Sequence, residues 1–292
     1  MDVPTPEILS RAARLLGWAP ERWRTVKGSY TPAARFVAAA GDRCVFVKVA
    51  TTPITALMLR HEAVAYQAIL APFTPRFIAW EDDSAFPMLV IEHLAGARWP
   101  PPWDRALVDA VVERIDLMHR TAADLPGFAE VHTESWDGWS SVAADPAPLL
   151  SLGVVSPDWL ERALPVLIEA EASCPLEGTA LTHLDLRSDN ICLSAAGVRF
   201  VDWSGACLGN PEFDLGFWLP SLAFEGGPQP EAIIGEAPEV AARVSGFFAA
   251  RAGLPGIVDA PFVRRVQKEQ LTTALPWAAR ALKLPALSLA AR

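Results

Sequence analysis

The sequence predicts a two-lobed α+β protein: a small N-terminal lobe of five antiparallel strands and one helix, then a larger, mostly helical C-terminal lobe interrupted by a β-hairpin. Three observations predict it. Residues 23–92 hold five short apolar runs separated by turns and by one helical stretch. Pro100-Pro101-Pro102 then breaks the chain, since proline has a fixed φ and no N–H to donate. Beyond it, apolar residues recur at helical spacing, except around residues 191–202, where two short apolar runs flank a small-residue turn. The predicted division is 1–94 and 97–292, with a hinge at about 92–96.

Taken in order, residues 5–17 place Ile8, Leu9, Ala12, Ala13, Leu15 and Leu16 at helical spacing and stop at Gly17, an amphipathic leading helix. Strands are expected at 23–26, 34–40 and 44–49, with turns at Gly28-Ser29 and Gly41-Asp42. After the breaker Pro53, a helix over 54–70 sets Leu59, Ala63, Tyr66 and Leu70 on one apolar face. Strands at 76–80 and 88–92 complete the small lobe. In the second lobe, Leu107, Val111, Ile115 and Met118 mark a helix over 104–119 ending in His119, and Ser156-Pro157 opens another running to about 173. Further helices are expected from Asp214, over 238–251 and over 261–284, whereas 124–151 reads as less regular.

A length of 292 residues with 51% hydrophobic content suffices for a packed core. Residues 1–7 show neither a basic nor an apolar leader pattern, and no apolar run approaches the ~20 residues of a spanning helix, so a cytoplasmic protein without membrane partners is expected. The four cysteines form no C-x-x-C; they are expected to be reduced core thiols, Cys44 and Cys192 among them. The net charge of -9 is unevenly placed, +2 over residues 1–90 and -11 over the rest. That field disfavours nucleic acid and favours a cationic small molecule.

The stretch that organises the chain is 179–203. It sets His183 two residues before Asp185, Asn190 five residues after it, and Asp202 beyond a short strand. A turn at Ala195-Ala196-Gly197 brings Asp202 to the same end of a hairpin as Asn190. Two oxygen donors facing each other suit a hard cation such as Mg²⁺, which keeps waters and shares substrate phosphates. Asp185 beside such an ion is placed to orient or deprotonate a hydroxyl. The arrangement implies phosphoryl transfer.

This stretch resembles the catalytic and metal-binding loops of the protein-kinase-like fold, and within it the aminoglycoside phosphotransferase group. The residues carrying the resemblance are Val201-Asp202-Trp203-Ser204-Gly205-Ala206, Gly209-Asn210-Pro211 and Phe213-Asp214-Leu215, while the D-F-G and A-P-E of protein kinases are absent. One departure is Leu184, where the group more usually has glycine. The resemblance implies a bilobal protein-kinase-like fold whose hairpin is catalytic. It also implies ATP or GTP and Mg²⁺ as cofactors, with Asn190 and Asp202 as metal ligands, Asp185 as catalytic residue, Arg187 near the γ-phosphate, and Asp214 as a brace for the loop.

A lysine in the middle of a buried strand needs an anion, and Lys48 stands in Phe46-Val47-Lys48-Val49. Kinase logic supplies the α/β-phosphates and a helix glutamate, and Glu62 is the one acid in its predicted helix. Gly28 and Ser29 occupy the position of a phosphate-covering turn, and backbone groups of about residues 92–94, Glu92 to Leu94, that of the adenine-binding hinge. Lys48, Glu62, Asp185, Asn190 and Asp202 are expected to converge on one nucleotide and its ion. The acceptor is a small molecule, a cationic antibiotic such as an aminoglycoside on one reading and a choline-, sugar- or amino-alcohol-type metabolite on another. Glu225, Glu231 and Glu269 are candidate acceptor contacts, residues 124–151 a candidate loop over the acceptor, and a monomer or weak homodimer the expected state. The chain is rich in tryptophan; core packing is expected for most, with cation binding as the alternative for Trp99, Trp103, Trp136, Trp139, Trp203 and Trp218.

Overall fold

The computed structural model describes residues 4–26, 31–82, 85–258 and 260–287. The chain forms two compact units. The first comprises Met1–Trp99, Ala123–Leu125 and Asn190–Ala206; the second comprises Pro100–Ala122, Pro126–Asp189 and Cys207–Arg292.

In the first unit, helix α1 (Pro6–Leu16) starts at Thr5, whose hydroxyl accepts the Ile8 N–H at 3.3 Å, and stops at Gly17, whose φ of 71° a side chain would resist. Strands β1 (Arg22–Thr25), β2 (Ala34–Ala40) and β3 (Arg43–Val49) precede helix α2 (Pro53–Ala68), and β4 (Phe77–Glu81) and β5 (Met88–Glu92) follow it. The strands form one antiparallel sheet in the order β1-β2-β3-β5-β4. Side chains alternate across it, so Val45, Val47 and Val49 pack with Phe36, Ala38, Met88, Val90 and the α1 residues Ile8 and Ala12. The same alternation sends Lys48 to the opposite face.

Two expectations are corrected in this unit. Leu70 is not on the apolar face of α2 but 89% exposed, because the helix ends at Ala68 and the neighbouring Ile69 turns inward as its cap. Cys44 is exposed rather than a core thiol, lying near the start of β3 on its solvated stretch. The predicted turn residues Gly28 and Ser29 fall outside the described residues.

Helix α3 (Arg105–His119) opens the second unit, capped by Asp104, which accepts the Leu107 N–H at 2.7 Å. Residues 124–151 hold three short helices, α4 (Phe128–Val131), α5 (Gly138–Ala144) and α6 (Ala147–Ser151), and bury Trp136 and Trp139. Helix α7 (Pro157–Ala172) starts at Ser156 as expected. Strand β6 (Ala180–Thr182) follows, and the chain then contributes the hairpin of β7 (Ile191–Ser194) and β8 (Gly197–Phe200) to the first unit. Back in the second unit, β9 (Cys207–Gly209) pairs antiparallel with β6. Helices α8 (Pro211–Phe224), α9 (Glu231–Ile234), α10 (Pro238–Ala252) and α11 (Val263–Ala281) complete it.

The core of the second unit forms around α10, which packs against α5, α6, α7, α8 and α11. Its approach to α5 needs two glycines, since a Cβ on Gly138 would lie 2.0 Å from the Gly246 carbonyl. Nearby, the buried Glu171 accepts the Gly138 and Trp139 N–H groups, both at 2.9 Å, and so caps α5 from another helix. Cys174, Cys192 and Cys207 are buried, and burial pushes the last two up to about 12. Trp136, Trp139, Trp203 and Trp218 are buried too, so they pack cores and are not open cation sites. Among the described residues no helix is long and apolar enough to cross a membrane.

Candidate active site

In the first unit, Lys48 lies between Arg35 of β2 and Leu89 of β5 in the sheet register, 8% exposed. Its Nζ donates to Glu62 Oε2 at 2.5 Å and to Asp202 Oδ1 at 2.8 Å. Glu62 reaches it because Leu59, Glu62, Ala63 and Tyr66 recur at helical spacing on the buried face of α2. Burial alone would lower the Lys48 pKa, but the Asp202 and Glu62 carboxylates overcome it and hold the ammonium above its ordinary value. Burial pushes the Glu62 carboxyl up to about 7, against the downward pull of Lys48.

Asn190 and Asp202 close the open end of the hairpin. Ile191 pairs with Phe200, and the Val201 N–H then donates to the Asn190 carbonyl at 3.0 Å, so the two residues flank the last ladder position, as the sequence predicts. The hairpin is seated in its unit by the Phe200 N–H on the Phe73 carbonyl at 2.7 Å and by Arg199 on the Thr74 carbonyl at 2.7 Å. Asp202 follows β8 with φ 64°, a left-handed conformation that turns the carboxylate out of the strand alternation. An amide oxygen and a carboxylate are hard donors. Among the described residues no cluster of three His, Cys, Asp or Glu forms an all-protein cage. That set fits Mg²⁺, which binds through one or two side chains and substrate phosphates.

Glu92 and Leu94 sit at and after the end of β5. The Glu92 N–H is taken by the Arg76 carbonyl at 2.9 Å and its carboxylate by the Arg76 N–H at 3.0 Å; the Leu94 carbonyl accepts the Ala97 N–H at 3.3 Å. Burial and the nearby Arg24 lower the His93 pKa.

The second unit holds the loop between β6 and the hairpin. Asp214, in the first turn of α8, accepts the His183 N–H at 3.1 Å and the Leu184 N–H at 2.7 Å on Oδ1, and its Oδ2 lies 2.9 Å from His119 Nε2. The brace has a physical purpose, because Leu184 is held at φ 58°, where glycine would be at ease. The Asp185 N–H then donates to His183 Nδ1 at 3.3 Å, leaving the Asp185 side chain partly exposed. Arg187 lies 3.3 Å from both the Asp185 and the Asp189 carboxylates. Of the three candidate acceptor contacts, Glu231 and Glu269 face Arg280 and Arg265 as surface ion pairs. Glu225 instead accepts from Ser188 Oγ at 2.5 Å and Trp103 Nε1 at 2.8 Å. Sequence reasoning missed the Ser188 and Trp103 partnership, for which no local pattern exists.

The family model that matches this chain is the phosphotransferase enzyme family, over residues 22–254. Among solved structures, a thermostable mutant of aminoglycoside phosphotransferase APH(4)-Ia, in ternary complex with AMP-PNP and hygromycin B, is 16% identical, with TM-score 0.60 over 97% of this chain and 99% of that one. Spectinomycin phosphotransferase APH(9)-Ia with ADP and spectinomycin is 10% identical, TM-score 0.55, over 97% and 94%. Choline kinase LicA from Streptococcus pneumoniae is 12% identical, TM-score 0.55, over 91% and 98%. These share the protein-kinase-like α+β fold expected from the sequence. No curated protein matches the sequence.

Proposed function

Because this chain belongs to the phosphotransferase enzyme family, a group of small-molecule kinases with hydroxyl acceptors, we propose that it transfers the γ-phosphate of ATP or GTP, with Mg²⁺, to a hydroxyl of a cationic small molecule such as an aminoglycoside. The observation that carries the reading is the buried Lys48 ammonium held by Glu62 and Asp202 at 2.5 and 2.8 Å. A structural lysine needs one counter-ion; here a helix glutamate orients the ammonium, as in the lysine–glutamate pair of kinases, and a second carboxylate suited to a metal ion lies beside it.

In the proposed mechanism, residues 1–94 bind nucleotide and 97–292 supply the loop and bind the acceptor. Lys48, kept charged and oriented by Glu62, binds the α/β-phosphates. Asn190 and Asp202 would hold Mg²⁺, which when bound neutralises charge on the phosphates. Asp185 orients the acceptor hydroxyl and takes its proton as the acceptor oxygen bonds to the γ-phosphorus and the bond to the β-phosphate oxygen breaks. Arg187, steadied by Asp185 and Asp189, neutralises charge on the γ-phosphate. Most of the rate then comes from positioning and electrostatics. The net charge of -11 beyond residue 90 supports a cationic acceptor.

The test is ADP release from Mg-ATP and Mg-GTP against a panel of aminoglycosides, macrolides, choline and sugars, with Asp185→Asn alongside. Acceptor-dependent release by the native chain, lost in the variant, is expected. Release that Asp185→Asn retains would overturn the assignment of the base, and release stimulated only by uncharged acceptors would overturn the cationic one.

A further inference from the structure

We propose that Glu225 is a positioning residue that fixes the second half of the loop carrying Asp185, acting through Ser188. The inference rests on the reading of Asp185 above only for its effect on turnover, not for the tether itself.

The loop runs from the end of β6 at Thr182 to the start of β7 at Ile191, outside any strand ladder. Its first half hangs on Asp214, through the His183 and Leu184 N–H groups. Its second half hangs on Glu225, through Ser188 Oγ at 2.5 Å. Both carboxylates belong to one helix: Asp214 stands in the first turn of α8, Glu225 is its C-cap, and eleven residues at 1.5 Å of rise separate them by about 16 Å along a helix that continues through Pro220. The loop is therefore slung between the two ends of one helix.

Each carboxylate also holds one end of α3. Asp214 meets His119 at the end of that helix, and Glu225 accepts Trp103 Nε1 at 2.8 Å just before its Asp104 cap. The ends of α3 and α8 thus pair in reverse order, and at each pairing the same carboxylate takes a donor from the loop. A carboxylate at a helix C-terminus opposes the helix dipole, so that dipole gives no reason for a glutamate there. Two donors, one on each oxygen, do. Asp185 lies three residues before Ser188, so a slack second half displaces the group meant to meet the acceptor hydroxyl.

The experiment compares Ser188→Ala, Glu225→Ala, their double variant and Glu225→Gln with the native chain. Amide hydrogen exchange reads the loop at 184–189, and ADP release from Mg-ATP with water as acceptor reads turnover. Faster loop exchange is expected in both alanine variants. Their kcat should fall roughly ten- to a hundredfold with KM for Mg-ATP within about twofold, because the defect is misplacement and not nucleotide binding. The double variant should be no worse than the singles, as for groups acting through one contact. Glu225→Gln should restore both readouts, since its amide oxygen accepts from Trp103 while its N–H donates to Ser188 Oγ. Unchanged loop exchange in Ser188→Ala overturns the proposal, as does native-like kcat in an active enzyme. A native chain that releases no ADP with water or with any acceptor of the panel, while the alanine variants loosen the loop, upholds the tether and instead defeats the proposed function.

Discussion

Replacing Lys48 by methionine keeps most of the apolar stem of the side chain and removes the ammonium, with its charge and donors, that Glu62 and Asp202 face at 2.5 and 2.8 Å. Glu62 is 2% exposed, and burial holds its carboxyl at about 7 against an ordinary 4.5. A folded-state value above the unfolded one means that the contribution of Glu62 to stability is fully present below about pH 4.5 and is lost as pH rises through about 7. The gap of about 2.5 units corresponds to about 3 kcal/mol in the native chain. Without Lys48 the one strong downward pull is gone, the folded value moves above 7, and the loss continues where the native chain has stopped losing. The two proteins should therefore diverge above pH 7, by up to ~1.4 kcal/mol per pH unit, with the total bounded by the ~3–5 kcal/mol of a broken buried pair. Urea unfolding at pH 6, 7, 8 and 9 measures it. The double variant Lys48→Met/Glu62→Gln, which buries no charge at this pair, should recover to within about 1 kcal/mol of the native chain at pH 9. A deficit equal at pH 6 and pH 9, or a double variant no better than the single one, would refute the reasoning.

Leu184→Gly relieves a left-handed backbone worth ~1–2 kcal/mol but gives up a buried leucine worth ~2–3 kcal/mol, so a net loss of about 1 kcal/mol is expected from urea midpoints. A more stable variant would show that strain outweighs burial there. Burial also pushes the Glu171 carboxyl up to about 7, against Arg243 and the Trp139 and Gly138 N–H groups. By the same sign, native stability falls between about pH 4.5 and 7, and Glu171→Gln should flatten that part of the curve by up to one proton's slope, ~1.4 kcal/mol per unit. Chelation of Mg²⁺ by EDTA, or Asp202→Ala, should abolish both ADP release and the thermal shift produced by Mg-ATP; release that persists in EDTA would remove the metal role from Asn190 and Asp202.

Much of the site was legible because its logic is local or periodic. Asn190 and Asp202 meet through a hairpin whose turn residues are contiguous, and ladder pairing then brings the residues before β7 and after β8 to one end. Lys48 was legible from a mismatch, a charge where the strand calls for an apolar side chain and which only a partner can sustain, and Glu62 as the one acid in the helix that follows. Where local cues compete they misled. Leu70 carries the helical period one turn past the point where the backbone leaves the helix, and Cys44 belongs to an apolar run whose first residues lie on the solvated part of β3.

The sequence alone determined the five strands and helix of the small lobe, the longer helices of the second, the hairpin, the start of α7 at Ser156 and the residue types able to handle phosphate, because each follows from spacing within a few residues. Only the tertiary structure decided that the Lys48 ammonium is shared between Glu62 and Asp202, 154 positions away in the latter case. It likewise decided that Gly138 meets Gly246, and that Asp214 and Glu225 suspend the Asp185 loop from the two ends of α8. Such contacts join segments whose separation no period encodes; they exist because packing brings donors and acceptors within 3 Å and burial makes leaving them unpaired costly.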